Sequence, residues 1–168
     1  MGTSAVEKKT VTVLFTRYHR TVANLIYLFS GRGFTHASIA LDEENQYFYS
    51  FNGKGFRKEY PRKHKGISDK SISMRLELPQ EGFEKIKDKI SEFEQGDFEY
   101  SRLGVFFCLL RIPHKRRKKY FCSQFVAEVL QLSGEVQLKH HSSLYTPNIL
   151  LSELQGQNCL KKIISPAI

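Results

Sequence analysis

The chain is predicted to fold as an α+β domain, a central antiparallel sheet packed against helices. Three observations lead there. Short runs of β-branched and alternating residues, at positions 10–16 and 72–78, have the period of strands. Other segments repeat apolar residues at helical spacing and stop at Gly or Pro. Two extended runs flank the short acidic turn Asp42-Glu43-Glu44-Asn45, which requires an antiparallel hairpin rather than a helical crossover.

Taken in order, Thr10-Val11-Thr12-Val13-Leu14-Phe15-Thr16 is the first strand. Val22, Leu25, Ile26 and Phe29 then fall on one helical face, with Gly31 and Gly33 able to end it. His36 lies in the second strand, and residues 46–52 form the third. Gly53 and Gly55 interrupt before a short extended piece at 56–60. Ile72, Met74, Leu76 and Leu78 alternate with Ser73, Arg75 and Glu77. Pro79 opens a helix whose Phe83, Ile86, Ile90 and Phe93 share a face until Gly96. Residues 98–110 are apolar and predicted to be helical in their second half. Phe125, Val126, Val129 and Leu130 mark a helix ending at Ser133-Gly134, with Cys122 at its start. Thr146 is a suitable N-cap and Pro147 a suitable first residue for a last helix through Leu154, and residues 160–164 close as a strand.

Its 168 residues, 40% hydrophobic and 26% charged, suit one domain over 1–168 with a substantial core. Cys108, Cys122 and Cys159 form no CxxC pair and no disulfide framework, which suits a reducing compartment. The start lacks the basic-then-apolar order of a signal peptide, and no apolar run approaches the roughly 20 residues of a membrane span. A cytoplasmic protein without an integral membrane segment is expected. The net charge of +9 concentrates in His114-Lys115-Arg116-Arg117-Lys118-Lys119 and, more loosely, in residues 57–65. Such runs suit an anionic partner or simply a solvated face. No nucleic-acid motif accompanies them, so a nucleic-acid partner is not expected. No HExxH or comparable pattern points to a metal, and no cofactor is expected.

One place reads as chemistry. A cysteine opening a helix lies among unpaired backbone N–H groups at the positive end of the macrodipole, which favours thiolate. Lowering a thiol pKa by about 3 units needs roughly 4 kcal/mol, at about 1.36 kcal/mol per unit. A helix terminus contributes only about 0.3–2 kcal/mol. A histidine that becomes imidazolium is the natural remainder, and His36 is suitably framed: it shares a strand face with Ser38 and Ala40, away from Ala37, Ile39 and Leu41. The alternatives are a buried structural cysteine and an ordinary strand histidine. An orienting third group would come from Ser50 or Asn52 on the facing strand, or from Glu59, the nearest downstream carboxylate.

Thr35-His36-Ala37-Ser38-Ile39, Tyr49-Ser50-Phe51, Tyr120-Phe121-Cys122-Ser123-Gln124-Phe125-Val126 and Thr146-Pro147-Asn148-Ile149-Leu150-Leu151 stand in this order along the chain. They resemble the circularly permuted, NlpC-like branch of the papain-fold cysteine hydrolases, which includes the YiiX-like and lecithin:retinol acyltransferase-like proteins. The resemblance covers about residues 10–155. It implies a permuted papain-like fold with Cys122 as nucleophile and His36 as base. The third polar residue, often Glu, Gln or His in that group, falls at Ser50, a departure. Tyr100 or Tyr120 would help line an oxyanion site together with the Cys122 N–H.

The expected function is therefore a cysteine-dependent hydrolase (peptidase or amidase) or acyltransferase that opens an amide or ester through an acyl-enzyme. Its substrate would be a small molecule, a peptide or a lipid amide, with the basic run steering anionic groups or touching acidic surfaces. The alternative is a weakly active or inactive binding module on the same fold that holds an anionic ligand, for which the Ser50 departure is the best argument.

Overall fold

Strand β1 (Lys8–Thr16) is the axis of the molecule. Every residue from Val11 to Thr16 is buried, as expected for a strand paired on both edges and covered on both faces. The computed structural model describes residues 7–18, 33–41, 44, 46–60 and 70–168. The helix expected at 21–29, most of the 42–45 turn and the basic residues 61–65 lie outside them.

β2 (His36–Ala40), β3 (Phe48–Asn52), β4 (Gly55–Glu59), β5 (Ser71–Pro79) and β8 (Leu160–Ile164) join β1 in a six-stranded sheet of order β4-β3-β2-β1-β5-β8. All its pairings are antiparallel. Between β5 and β8 come α1 (Gln80–Gln95), the two-residue β6 (Glu99–Tyr100), α2 (Arg102–Leu109), the two-residue β7 (Lys119–Tyr120), α3 (Cys122–Gln131), a 3-10 turn at Ser142–Leu144 and α4 (Pro147–Gln155). The domain is α+β, with a mainly antiparallel sheet.

Several element boundaries differ by a residue or two from those expected, two of them with consequences for the chain's course. The third strand begins at Phe48 rather than 46. Pro79 ends β5 and the helix starts one residue later, so the proline stands at the cap with extended backbone (ψ 149°) rather than inside the first turn.

Alternation sorts the sheet into two faces. Val11, Val13, Phe15, Ala37, Ile39, Phe51, Met74 and Leu76 point into the main core, where they meet Ile86, Ile90 and Phe93 of α1, Phe125, Val126 and Val129 of α3, and Leu150 and Leu154 of α4. Phe93 is the hub of an aromatic cluster. Its ring centroid lies 4.6–5.7 Å from those of Phe98, Tyr120, Phe125, Phe51 and Phe56. The opposite face carries a smaller cluster, Leu14, Ala40 and Phe48, covered by Ala167.

Two local devices set up the site. A two-residue turn, Gly53-Lys54, joins β3 to β4, and Gly55 follows at φ 93°. A Cβ there would lie 2.5 Å from the Phe98 carbonyl oxygen, so only glycine closes this hairpin against the following chain. The β6–β7 pair is parallel, and the Ser101 N–H donates to the Tyr120 carbonyl at 2.8 Å. That pairing holds the segment entering α3 against the start of α2.

Candidate active site

Cys122 is the first residue of α3, and His36 is the first residue of β2. Phe121 enters the helix in extended backbone and offers no side-chain cap, so the first-turn N–H groups stay available to a polarisable acceptor. The sulfur is such an acceptor. Cys122 is 3% exposed and His36 8% exposed. Burial pushes the Cys122 thiol up. A hydrogen bond and charge from His36, with the backbone N–H groups of Ala37 and Ser123, outweigh it and hold the thiol below its ordinary value. Burial opposes charge on His36 as well. The Glu59 carboxylate and the Cys122 sulfur overcome it, and the imidazole stays protonated well above the usual 6.5.

The partners of His36 define its tautomer. Nε2 lies 3.0 Å from Glu59 Oε2 and 3.0 Å from Ser50 Oγ. Ser50 has one hydroxyl proton, and it donates to the Ala37 carbonyl at 3.0 Å. Towards His36 the hydroxyl therefore accepts, as does the carboxylate, so Nε2 carries the proton and shares it between two oxygens. Nδ1 is the nitrogen left to exchange a proton with Cys122. Tyr18 closes the site, its ring centroid 5.5 Å from that of His36.

Strand register explains how Glu59 arrives. Ser50 pairs with Arg57 and Phe48 with Glu59, so alternation puts Ser50, Arg57 and Glu59 on one face of the β3–β4 hairpin. Ile39 pairs with Tyr49, which puts His36 on the same parity as Ser50. The carboxylate that Ser50 cannot supply thus comes from one strand further out.

Of the residues singled out in the sequence, His36, Cys122, Ser50 and Glu59 come together. Asn52 does not join them, because its Oδ1 accepts from the Lys54 N–H at 2.9 Å and braces the turn. Tyr120 packs in the aromatic cluster and its hydroxyl donates to Glu128 at 3.1 Å, which takes it out of any oxyanion role. Tyr100 stays near the sulfur. Burial and the negative charge on Cys122 both raise its phenol, so it keeps its proton. The other thiols are unlike Cys122: burial pushes Cys108 up to about 12 and raises Cys159 as well.

Asn148 is a supporting residue that sequence reasoning missed. It sits in the first turn of α4, after a Thr146 cap whose hydroxyl accepts from the Ile149 N–H. Its Oδ1 accepts from the Phe34 N–H at 2.8 Å and its Nδ2 donates to the Phe34 carbonyl at 3.1 Å. The side chain thus imitates a neighbouring strand and fixes the chain two residues before His36. A Cβ on Gly33 would lie 2.0 Å from that Oδ1. An amide pairing with a main chain 114 residues away leaves no periodic trace, only the Thr-Pro-Asn string.

An apolar crevice lined by Val105, Cys108, Leu109, Phe121 and Pro147 runs between α2 and the residues that flank Cys122. Among the described residues no group of three His, Cys, Asp or Glu side chains is arranged to hold a metal ion. No helix among them is long and apolar enough to cross a membrane. No protein-family model matches this chain, and no curated protein matches it significantly.

Proposed function

We propose that this chain is a cysteine-dependent hydrolase or acyltransferase that opens an amide or ester bond through an acyl-enzyme, on a permuted papain-like fold. One observation carries the reading: a buried Cys122 at a helix N-terminus paired with a histidine whose far nitrogen is held by Glu59 and Ser50. The order of strand histidine before helix cysteine supports the permuted form.

The thiolate attacks the carbonyl carbon and forms the carbon–sulfur bond while the carbonyl electrons move to oxygen. The Cys122 N–H and the protonated Tyr100 hydroxyl are suited to stabilise that oxygen. As the tetrahedral species collapses, Nδ1 of the imidazolium gives its proton to the leaving amine or alcohol. Neutral His36 then takes a proton from water, or from an acceptor hydroxyl or amine, which attacks the thioester and releases the thiolate. Glu59 stabilises the imidazolium and keeps Nε2 protonated throughout.

Intact-mass analysis after exposure to a p-nitrophenyl ester series tests the reading. An acyl adduct on Cys122 is expected, formed with a burst of nitrophenolate and absent from Cys122→Ala and His36→Ala. Equal ester turnover by the wild type and Cys122→Ala, with no adduct, would sink it. With the carboxylate in place, the inactive-module alternative loses its main support, which was the weak acceptor at position 50.

A further inference from the structure

The bulkiest exposed apolar surface among the described residues lies just ahead of the cysteine helix. Among the described residues seven large hydrophobic side chains are exposed, and four of them, Leu103, Phe106, Leu110 and Ile112, fall within ten residues. Leu103, Phe106 and Leu110 have i, i+3, i+7 spacing and form one outward stripe along α2 and its C-cap, Leu110, while Gly104, Val105 and Cys108 bury the other side. This stripe leads straight into the densest cationic run of the chain, in which Lys115–Lys118 are all exposed. The loop is braced from behind. Arg111 donates to the Leu144 carbonyl at 2.8 Å, Lys115 pairs with Glu128 at 2.8 Å, and Lys119 pairs with Glu99. Arg117 and Lys118 are exposed and form no ion pair among the described residues, the Lys118 ammonium lying over the Phe98 ring at 5.9 Å from its centroid.

We propose that α2 and the 111–119 loop form a docking surface for an anionic lipid bilayer, the apolar stripe entering the acyl boundary and the cations meeting the headgroups. Charge and shape favour this occupant. A polyanion such as nucleic acid would satisfy the cations and leave Leu103, Phe106 and Leu110 in water. A second copy would set two basic loops against each other in a chain of net charge +9. A bilayer takes both parts at once, and an eight-residue helix is suited to lie in the interface rather than span it. Beyond this surface the chain turns inward at the buried Tyr120 and Phe121 before it reaches the candidate nucleophile, and the surface does not depend on the catalytic reading.

The chain has no tryptophan, so Phe106→Trp supplies a single fluorophore in the stripe. Vesicles of phosphatidylcholine with about 30 mol % phosphatidylserine are expected to shift its emission to the blue, and lipids brominated on the acyl chain to quench it. Two double variants made on this background, Leu103→Glu with Leu110→Glu and Arg116→Glu with Arg117→Glu, should each lower the vesicle-bound fraction about tenfold or more. Both should keep the parent's circular dichroism and Cys122 labelling. Unchanged emission with anionic vesicles overturns the proposal, as does equal binding to pure phosphatidylcholine. So does light scattering that shows a dimer abolished by the Leu103/Leu110 pair, or duplex DNA that binds while the emission stays fixed.

Discussion

At the scale of single residues, the site is a division of labour over one imidazole. Nε2 is committed to Ser50 and Glu59, both at 3.0 Å, which leaves Nδ1 as the nitrogen open to the thiol. The carboxylate is the partner that stabilises charge, so the two acceptors should not be equal. Glu59→Gln should lower turnover by about 10- to 100-fold and move the alkaline limit of activity to lower pH, because the imidazolium loses its proton sooner without the carboxylate. Ser50→Ala leaves Glu59 in place and should cost only about 3- to 10-fold, in line with one neutral hydrogen bond. Steady-state pH–rate profiles of the two variants check both, and a greater loss at Ser50 would reverse the assignment. Iodoacetamide should label Cys122 near pH 6 and spare Cys108 and Cys159, whose thiols are raised by burial. In His36→Ala that labelling should retreat to roughly pH 8 and above, the range of an ordinary thiol. Peptide mapping after labelling reads this out.

Elements bring these residues together by their ends. β2 and α3 both begin at the site, and α4 holds the approach to β2 through Asn148. Thr146→Ala removes the α4 cap and should cost about 1 kcal/mol in urea denaturation with little effect on labelling of Cys122. Asn148→Ala removes two hydrogen bonds to the Phe34 backbone and should cost about 1–3 kcal/mol. It should also slow Cys122 alkylation, since the strand entry that carries His36 is released. Asn148→Asp keeps the Oδ1 acceptor and loses the donor, so an intermediate rate is expected. If Asn148→Ala changes stability but leaves the alkylation rate intact, the side chain is a staple only and does not position His36.

Across the whole molecule, the aromatic cluster joins sheet, α1, α3 and the β6–β7 ribbon into one unit. Phe93→Ala should destabilise the domain by about 3–5 kcal/mol in urea titration. The residual folded protein should keep an unshifted pH profile of thiol reactivity, because the groups that shift the Cys122 thiol are His36 and the Ala37 and Ser123 backbone, and Phe93 is not among them. The Cys122–His36 pair adds its own signature to global stability. His36, raised on folding, contributes stability that is full below its ordinary value and is lost as pH climbs to the raised one. Cys122, lowered on folding, contributes stability that is full above its ordinary value and is lost as pH falls to the lowered one. Between roughly pH 6.5 and 8.5 the two slopes cancel, since an ion pair and a neutral pair carry the same number of protons. The difference in unfolding free energy between the wild type and a Cys122→Ala/His36→Ala variant should therefore be flat in that window and fall on both sides. A monotonic dependence would show that the two groups do not form an ion pair.

Much of this was legible in local pattern. The alternation at 10–16 and 72–78, the Thr146-Pro147 helix start and the last strand at 160–164 match the observed elements closely, because strand and helix periods and caps act over a few residues. Cys122 at a helix start and His36 in a strand were visible for the same reason, and so was the parity that aligned Ser50 with His36. Glu59, the Asn148 clamp and the exclusion of Tyr120 and Asn52 were settled by tertiary structure alone. Glu59 reaches the imidazole only after two successive strand pairings set its register, and Asn148 meets Phe34 across 114 residues. By itself the amino-acid order determined which residue types stand at which element ends. Only the folded sheet decided which of them share a face, because register is a property of paired strands and no single strand contains it.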